Sequence, residues 1–185
     1  MKLHIGCGKR EWPGWINIDG VDLPHIHWRD VTKLPYRNNE ADLIYASHLI
    51  AYFDRDEIVP ILNEWKRVLK PGGILRLATP DFEQLLIAYE TNIVPIEGIL
   101  GPLYGKITLK GMSVYHKTCY NYDSLRTLLL EVGFKDPITW SHNETEHAEL
   151  DDHSKAHIPH DPQAIETGVY TKNHLPISLN IQVTK

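Results

Sequence analysis

Two short apolar runs, each ending in a chemically distinctive group, bound what this chain can fold into. Lys2-Leu3-His4-Ile5 stops at Gly6-Cys7-Gly8, and Trp15-Ile16-Asn17-Ile18 stops at Asp19. Runs this short read as strands. A strand ending in glycines, followed by one ending in a carboxylate, is how a sheet presents itself to a nucleotide-like ligand. Between them, Trp12-Pro13-Gly14 is turn chemistry that leaves little room for a regular helix.

Downstream, strands alternate with helical crossovers. His25 to Trp28 is a third short run ending at Arg29-Asp30, and Ala41 to Ala46 suits another buried strand. Ile58, Ile61, Leu62, Trp65, Val68 and Leu69 recur at helical spacing on one face. Asp54 and Glu57 have capping-box spacing, but Pro60 would then lie inside the helix, so the predicted start is nearer Asp56. Lys70-Pro71-Gly72-Gly73 ends that helix, and Ile74 to Ala78 is a strand leading to Thr79-Pro80-Asp81. Helices are expected over Phe82 to Tyr89 and over Ser124 to Val132, the second N-capped by Asp123 and closed by Gly133. Phe134 to Trp140 reads as a strand, and Ile177, Leu179, Ile181 and Val183 alternate with polar residues in a strand of period two. Asn92 to Lys117 has no sustained period, and Ser141 to Asn173 is polar and rich in His, Asp and Glu. The expected fold is α/β: a Rossmann-like open, mostly parallel sheet with an antiparallel edge strand, in a single domain over 1–185.

Composition removes several function classes. At 185 residues and 42% hydrophobic the chain can bury one full core. A net charge of -5 with no Lys/Arg cluster argues against nucleic acid as a partner. Cys7 and Cys119 are too few for a disulfide framework. Met1 leads straight into a strand, and no apolar stretch of about 18 residues could span a bilayer, so a cytoplasmic protein without a membrane partner is expected. Oligomeric state is not legible.

In an open α/β sheet the ligand crevice lies beyond the carboxyl ends of the strands. Gly6-Cys7-Gly8, Asp19, Asp30, Ala46-Ser47-His48 and Asp81 all follow predicted strands and are expected to share one rim. Glycines let backbone approach a ligand, and a carboxylate can accept both hydrogen bonds of a ribose diol. The run Leu3 to Gly8, the phrase Pro13 to Asp19, Asp30 before Leu34-Pro35-Tyr36, Ala41-Asp42-Leu43-Ile44, Arg67 to Leu75 and the stretch Leu125 to Phe134 resemble the class I S-adenosylmethionine-dependent methyltransferases. The likeness covers roughly two-thirds of the chain and does not carry Ser141 to Asn173.

The resemblance implies a seven-stranded sheet whose last strand is antiparallel, and S-adenosylmethionine as cofactor. It implies Gly6-Cys7-Gly8 as the cofactor loop, with Gly6 and Gly8 approaching the methionine part. Asp19 would take the ribose hydroxyls, Asp30 and Val31 would border the adenine, and Ser47 or His48 would line the pocket near the sulfonium. The chain departs from the pattern at His4, where many members have an acid, and at Arg10, near which many have a third glycine. It also lacks room for the helices that usually flank the first strand, which implies a more open pocket.

Methyl transfer needs an in-line nucleophile and, for an oxygen or nitrogen acceptor, usually a base. His48 at the rim and His116 ahead of the second clear helix are the candidates. Cys7 is expected as a buried packing thiol rather than a nucleophile. His153, His157 and His160, with Asp151, Asp152 and Asp161, have metal-ligand spacing only if helical, and Pro159 interrupts them. The segment therefore reads as a solvated, substrate-facing loop, with no metal ligand assigned. Residues 82–118 are expected to form a lid over a small polar acceptor. Two rivals are a non-catalytic binding or regulatory module of the same fold and a nicotinamide-dependent oxidoreductase, which the missing third glycine disfavours.

Overall fold

The computed structural model describes residues 1–159 and 174–185. In chain order its elements are β1 (Lys2–Ile5), β2 (Ile16–Ile18), β3 (Ala41–Ser47), α1 (Arg55–Val68), β4 (Leu69–Pro80), α2 (Phe82–Glu90), α3 (Ile96–Tyr104), β5 (Ile107–Leu109), β6 (Met112–Val114), α4 (Tyr122–Glu131), β7 (Lys135–Thr139), β8 (His157–Pro159), β9 (His174–Pro176) and β10 (Ser178–Thr184). The central sheet has the order β2-β1-β3-β4-β10-β7. β2, β1, β3 and β4 are mutually parallel, and β10 runs antiparallel to both of its neighbours. The fold is the expected Rossmann-like α/β arrangement. The antiparallel strand, however, sits one place in from the edge.

The sheet has six strands among the described residues, where seven were expected. The run His25 to Trp28 contributes a single bridge, Ile18 to Trp28. Two backbone hydrogen bonds, His27 N–H to Asn17 O at 2.8 Å and Asp19 N–H to Trp28 O at 3.1 Å, hold that bridge, while the Asn17 N–H donates to His27 Nδ1 at 3.1 Å rather than to a backbone carbonyl.

Two local readings change as well. The Asp54–Glu57 capping box forms in full, so α1 starts at Arg55 and carries Pro60 inside it. The reciprocal cap satisfies two otherwise orphaned donors, and this outweighs the one hydrogen bond that Pro60 removes. α4 is capped by Asn121 with Ser124 in a second box, rather than by Asp123.

The two faces of the sheet differ in chemistry. On the first face, register places Ile16–Leu3–Ile44–Leu75–Val183 and Ile18–Ile5–Ala46–Leu77–Ile181 in rows across five strands. These rows pack on Ile58, Leu62 and Trp65 of α1 and on Leu125 and Leu129 of α4 in the main core. On the second face the row is Asn17–His4–Tyr45–Arg76–Gln182. With no helix in the first crossover, this face is covered by Trp12 and Trp15 of that crossover and by Trp140 and Leu150 from the segment after β7. Asn180 Nδ2 donates to Ser154 O at 3.0 Å and Trp140 Nε1 to Leu77 O at 3.1 Å, tying that segment to the sheet.

Ser141 to Lys155 is therefore solvated only in part. His142, His147, Asp152 and Ser154 are buried, because the sheet face beneath them has no other cover. His160 and Asp161 lie outside the described residues. A smaller core joins α2 and α3 to the β8–β9 pair through Leu85, Ile99, Ile158 and Ile177. Among the described residues no helix is long and apolar enough to cross a membrane.

Candidate functional site

A cavity of about 1040 Å³ opens at the carboxyl ends of β1, β2 and β3. Gly6, Cys7, Gly8, Asp19, Asp30, Val31, Ser47, His48 and His116 all line it. Asp81 does not share this rim. Its carboxylate caps α2 by accepting from the Glu83 and Gln84 N–H groups.

The glycine loop is held by its own neighbours. Gly6 sits at φ +73°, and a Cβ there would lie 2.8 Å from Leu49 Cδ2, so this glycine is demanded by packing as well as by conformation. Gly8, at φ +56°, has nothing within 4 Å of where a Cβ would project, so its backbone is open to close approach. The Gly8 N–H donates to Asp19 Oδ2 at 2.8 Å, and the Val21 N–H donates to Oδ1 at 3.0 Å. His25 Nε2–H donates to Gly8 O at 3.1 Å. Asp19 thus pins the loop after β1 to the end of β2, and each of its oxygens keeps a lone pair for a ligand.

Cys7 is buried, and burial with the nearby Asp19 charge pushes its thiol up to about 12, which disfavours a thiolate and fits a packing role. Asp30 is exposed and spends one oxygen on Thr32 N, Thr32 Oγ1 and Lys33 N. Burial pulls its carboxyl upward, but these hydrogen bonds outweigh that and hold it below the usual range. Ser47 Oγ is buried without a hydrogen-bond partner among the described residues, at the point where β3 meets the cavity.

The candidate bases are neutral imidazoles. His48 adopts φ +51° just past β3, where its N–H donates to Ala78 O at 2.8 Å. Its Nε2 lies 3.2 Å from Ser178 Oγ, and its ring is 5.4 Å from that of His153. Burial first, then the neighbouring His153 and His116, brings its pKa down to about 3. Such a group orients a ligand but is a poor proton acceptor at neutral pH. In His116, Nδ1–H donates to Leu103 O at 3.1 Å, and burial lowers the pKa. Its ring packs so closely on Gly105 that any Cβ there would collide with it. Tyr52 stands edge-on to the same ring at 4.5 Å and donates through its OH to Gly105 O.

Several lining residues were not legible beforehand. The stretch expected to be irregular contains α3 and the β5–β6 hairpin, turned by Lys110 and Gly111 at φ +50° and +79°. Leu109 of the hairpin reaches within 3.5 Å of the Cβ position of Gly20, so the hairpin roofs the loop after β2. Only the Lys110-Gly111 pair between two apolar runs hinted at it. Arg10, Asp152 and His153 complete the wall, with Arg10 Nε donating to Asp151 O at 3.0 Å. No local signal links residues so distant in the chain.

Residues 15–77 match the family model for a methyltransferase domain. No curated protein matches the sequence. The fold is similar to that of an S-adenosylmethionine-dependent methyltransferase from Archaeoglobus fulgidus (TM-score 0.59, 15% identity, all of this chain and 85% of that one). It is also similar to a Thermotoga maritima methyltransferase described as a possible histamine N-methyltransferase (TM-score 0.55, 17% identity, all of this chain and 81% of that one). A third is the Burkholderia thailandensis 1,6-didemethyltoxoflavin-N1-methyltransferase, solved with 1,6-didemethyltoxoflavin and S-adenosylhomocysteine (TM-score 0.53, 13% identity, all of this chain and 70% of that one).

Proposed function

We propose that this chain, which carries a methyltransferase domain of the class I S-adenosylmethionine-dependent type, binds that cofactor across the ends of β1, β2 and β3 and passes its methyl group to a small polar acceptor. The observation that carries the reading is the convergence of an open Gly8 backbone and the Asp19 carboxylate, with Ser47 and His48 in the wall, on one cavity of about 1040 Å³. Pockets for one drug-sized ligand usually measure about 300–1,000 Å³, so this cavity has room for a donor and a small acceptor together.

The cofactor supplies an electrophilic methyl on a sulfonium; the rest is positioning by the chain. Gly8 admits the methionine part, with Lys9 and Arg10 supplying positive charge beside it. Asp19 receives the ribose hydroxyls on its remaining lone pairs. Val31 gives the adenine an apolar edge, and Asp30, committed to its own turn, shapes that edge rather than bonding to it. Ser47 and His48 would line the pocket near the methyl, and Leu109 with the hairpin would shield it from water. Because His48 stays neutral, it accepts or donates one hydrogen bond to the acceptor and orients it. That favours a nucleophile presenting its own lone pair, such as an unprotonated amine, over an alcohol that must first lose a proton.

Calorimetric titration tests this directly. S-adenosylmethionine and its demethylated product should bind and NAD should not. NAD binding without response to the methyl donor would overturn the reading in favour of a nicotinamide enzyme.

A further inference from the structure

The buried cover on the second sheet face holds chemistry that cofactor binding does not use. His142, His147 and Asp152 each direct one ligand atom into a common space, with these atoms all within 4.8 Å of one another. Their exposures are 5%, 1% and 5%. His147 packs against the rings of Trp12, at 4.9 Å, and Tyr45, at 4.6 Å, and neither of its ring nitrogens has a hydrogen-bond partner among the described residues. Leaving a buried polar group unpaired typically costs about 1–3 kcal/mol, so a side chain with both nitrogens orphaned calls for a ligand.

The other two residues are oriented as metal ligands are. His142 Nε2 lies 3.2 Å from Ala148 O; a carbonyl only accepts, so Nε2 carries the proton and Nδ1 keeps its lone pair. That lone pair accepts from the Ser154 hydroxyl at 2.7 Å and lies 3.8 Å from Asp152 Oδ1, so a metal would take the place of the hydroxyl on Nδ1. Asp152 Oδ2 is held by the Tyr45 hydroxyl, and Oδ1 takes the Ser154 N–H at 2.7 Å, leaving one lone pair directed at His142. A carbonyl behind an imidazole and a phenol behind a carboxylate are the supports that fix tautomer and orientation around a bound metal.

We propose that His142, His147 and Asp152 bind one divalent transition metal of the zinc class, a clasp within the cover itself that steadies Asp152 against Tyr45 of the sheet. Two imidazoles and a carboxylate suit zinc, whereas calcium and magnesium prefer all-oxygen sets. Metal–ligand bonds of about 2.0–2.1 Å in a tetrahedron place ligand atoms roughly 3.3 Å apart, so binding draws the three side chains together by a fraction of an ångström to roughly 1.5 Å. The clasp acts on the cavity through Asp152, which lines it and precedes His153 in the same wall.

The test uses the full chain. After gel filtration, elemental analysis should find close to one zinc per chain, and chelation should lower the melting temperature in a way that zinc restores. Cobalt(II) added to the chelated protein should give the visible absorption of a low-coordinate nitrogen–oxygen site with a one-to-one endpoint. His147→Gln and Asp152→Asn should each abolish that spectrum, whereas Asp151→Asn, at the exposed neighbouring acid, should keep it. If the variants fail to fold, paramagnetically shifted imidazole N–H signals from two histidines in the cobalt-loaded wild type carry the same information. Absence of both zinc and the cobalt spectrum in the wild type would overturn the proposal, as would metal binding undiminished in both ligand variants.

Discussion

The two faces of the central sheet use the same strands and opposite chemistry. The first buries aliphatic rows against the helices α1 and α4, so its stability rests on apolar area and close packing. The second buries His4, Tyr45 and Arg76 beneath tryptophans and histidines, so it depends on keeping those groups neutral or pairing them as they leave water. The lesson is that a sheet deprived of a crossover helix can be covered by polar side chains, provided they are neutral or paired. Arg76 illustrates this: it bonds Glu146 at 2.8 Å and Gln182 at 3.1 Å and lies over the Trp140 ring.

The contrast can be broken or sharpened by experiment. The largest effect is expected on the first face: Trp65→Ala should lose about 3–5 kcal/mol in urea unfolding, since it empties a fully buried site. It also strands Val31 O, which Trp65 Nε1 holds at 2.8 Å. Acidification comes next and acts through His4 on the second face and His48 at the rim. Burial lowers both to about 3 from an unfolded value near 6.5, so between those limits the unfolded chain binds more protons. Their contribution is complete above pH 6.5 and lost as pH falls, by about 1.4 kcal/mol per unit for each group. Stability at pH 5 should therefore be a few kcal/mol below that at pH 7, and a flat profile would show that these histidines are not buried neutral.

Tyr45→Phe keeps the ring but removes the donor to Asp152, and should cost about 1–3 kcal/mol. A change under about 0.5 kcal/mol would make the second face a passive apolar cover and end the distinction drawn here. The smallest effects are expected at the cavity rim. Asp19→Ala should weaken donor binding by roughly tenfold or more, because it removes a charged acceptor and frees the Gly8 N–H. Asp30→Ala, whose carboxylate serves its own turn, should change affinity by less than about threefold.

Legibility followed the range of the forces involved. The apolar face of α1, the alternation of β10 and the Gly6, Gly8 and Asp19 positions were readable because each is a local pattern of period, cap or turn. The start of α1 at Arg55 is not legible in the same way, since propensity alone does not rank the reciprocal Asp54–Glu57 cap against the one hydrogen bond lost at Pro60. His25 to Trp28 has strand composition, yet its pairing stops at one bridge, because the next N–H, that of Asn17, turns to the His27 ring.

By itself the sequence determined the alternation of the sheet strands with α1, α2 and α4 and the loop where a carboxylate meets two glycines, because each is set by neighbours within about a dozen residues. Only the tertiary structure decided the fate of the histidines after β7. Tyr45 and Asp152 are separated by 107 positions, and their meeting depends on a sheet face left open by a ten-residue crossover, Gly6 to Trp15. Burial of that kind leaves no period in the chain, because the partner surface is assembled from strands far apart in sequence.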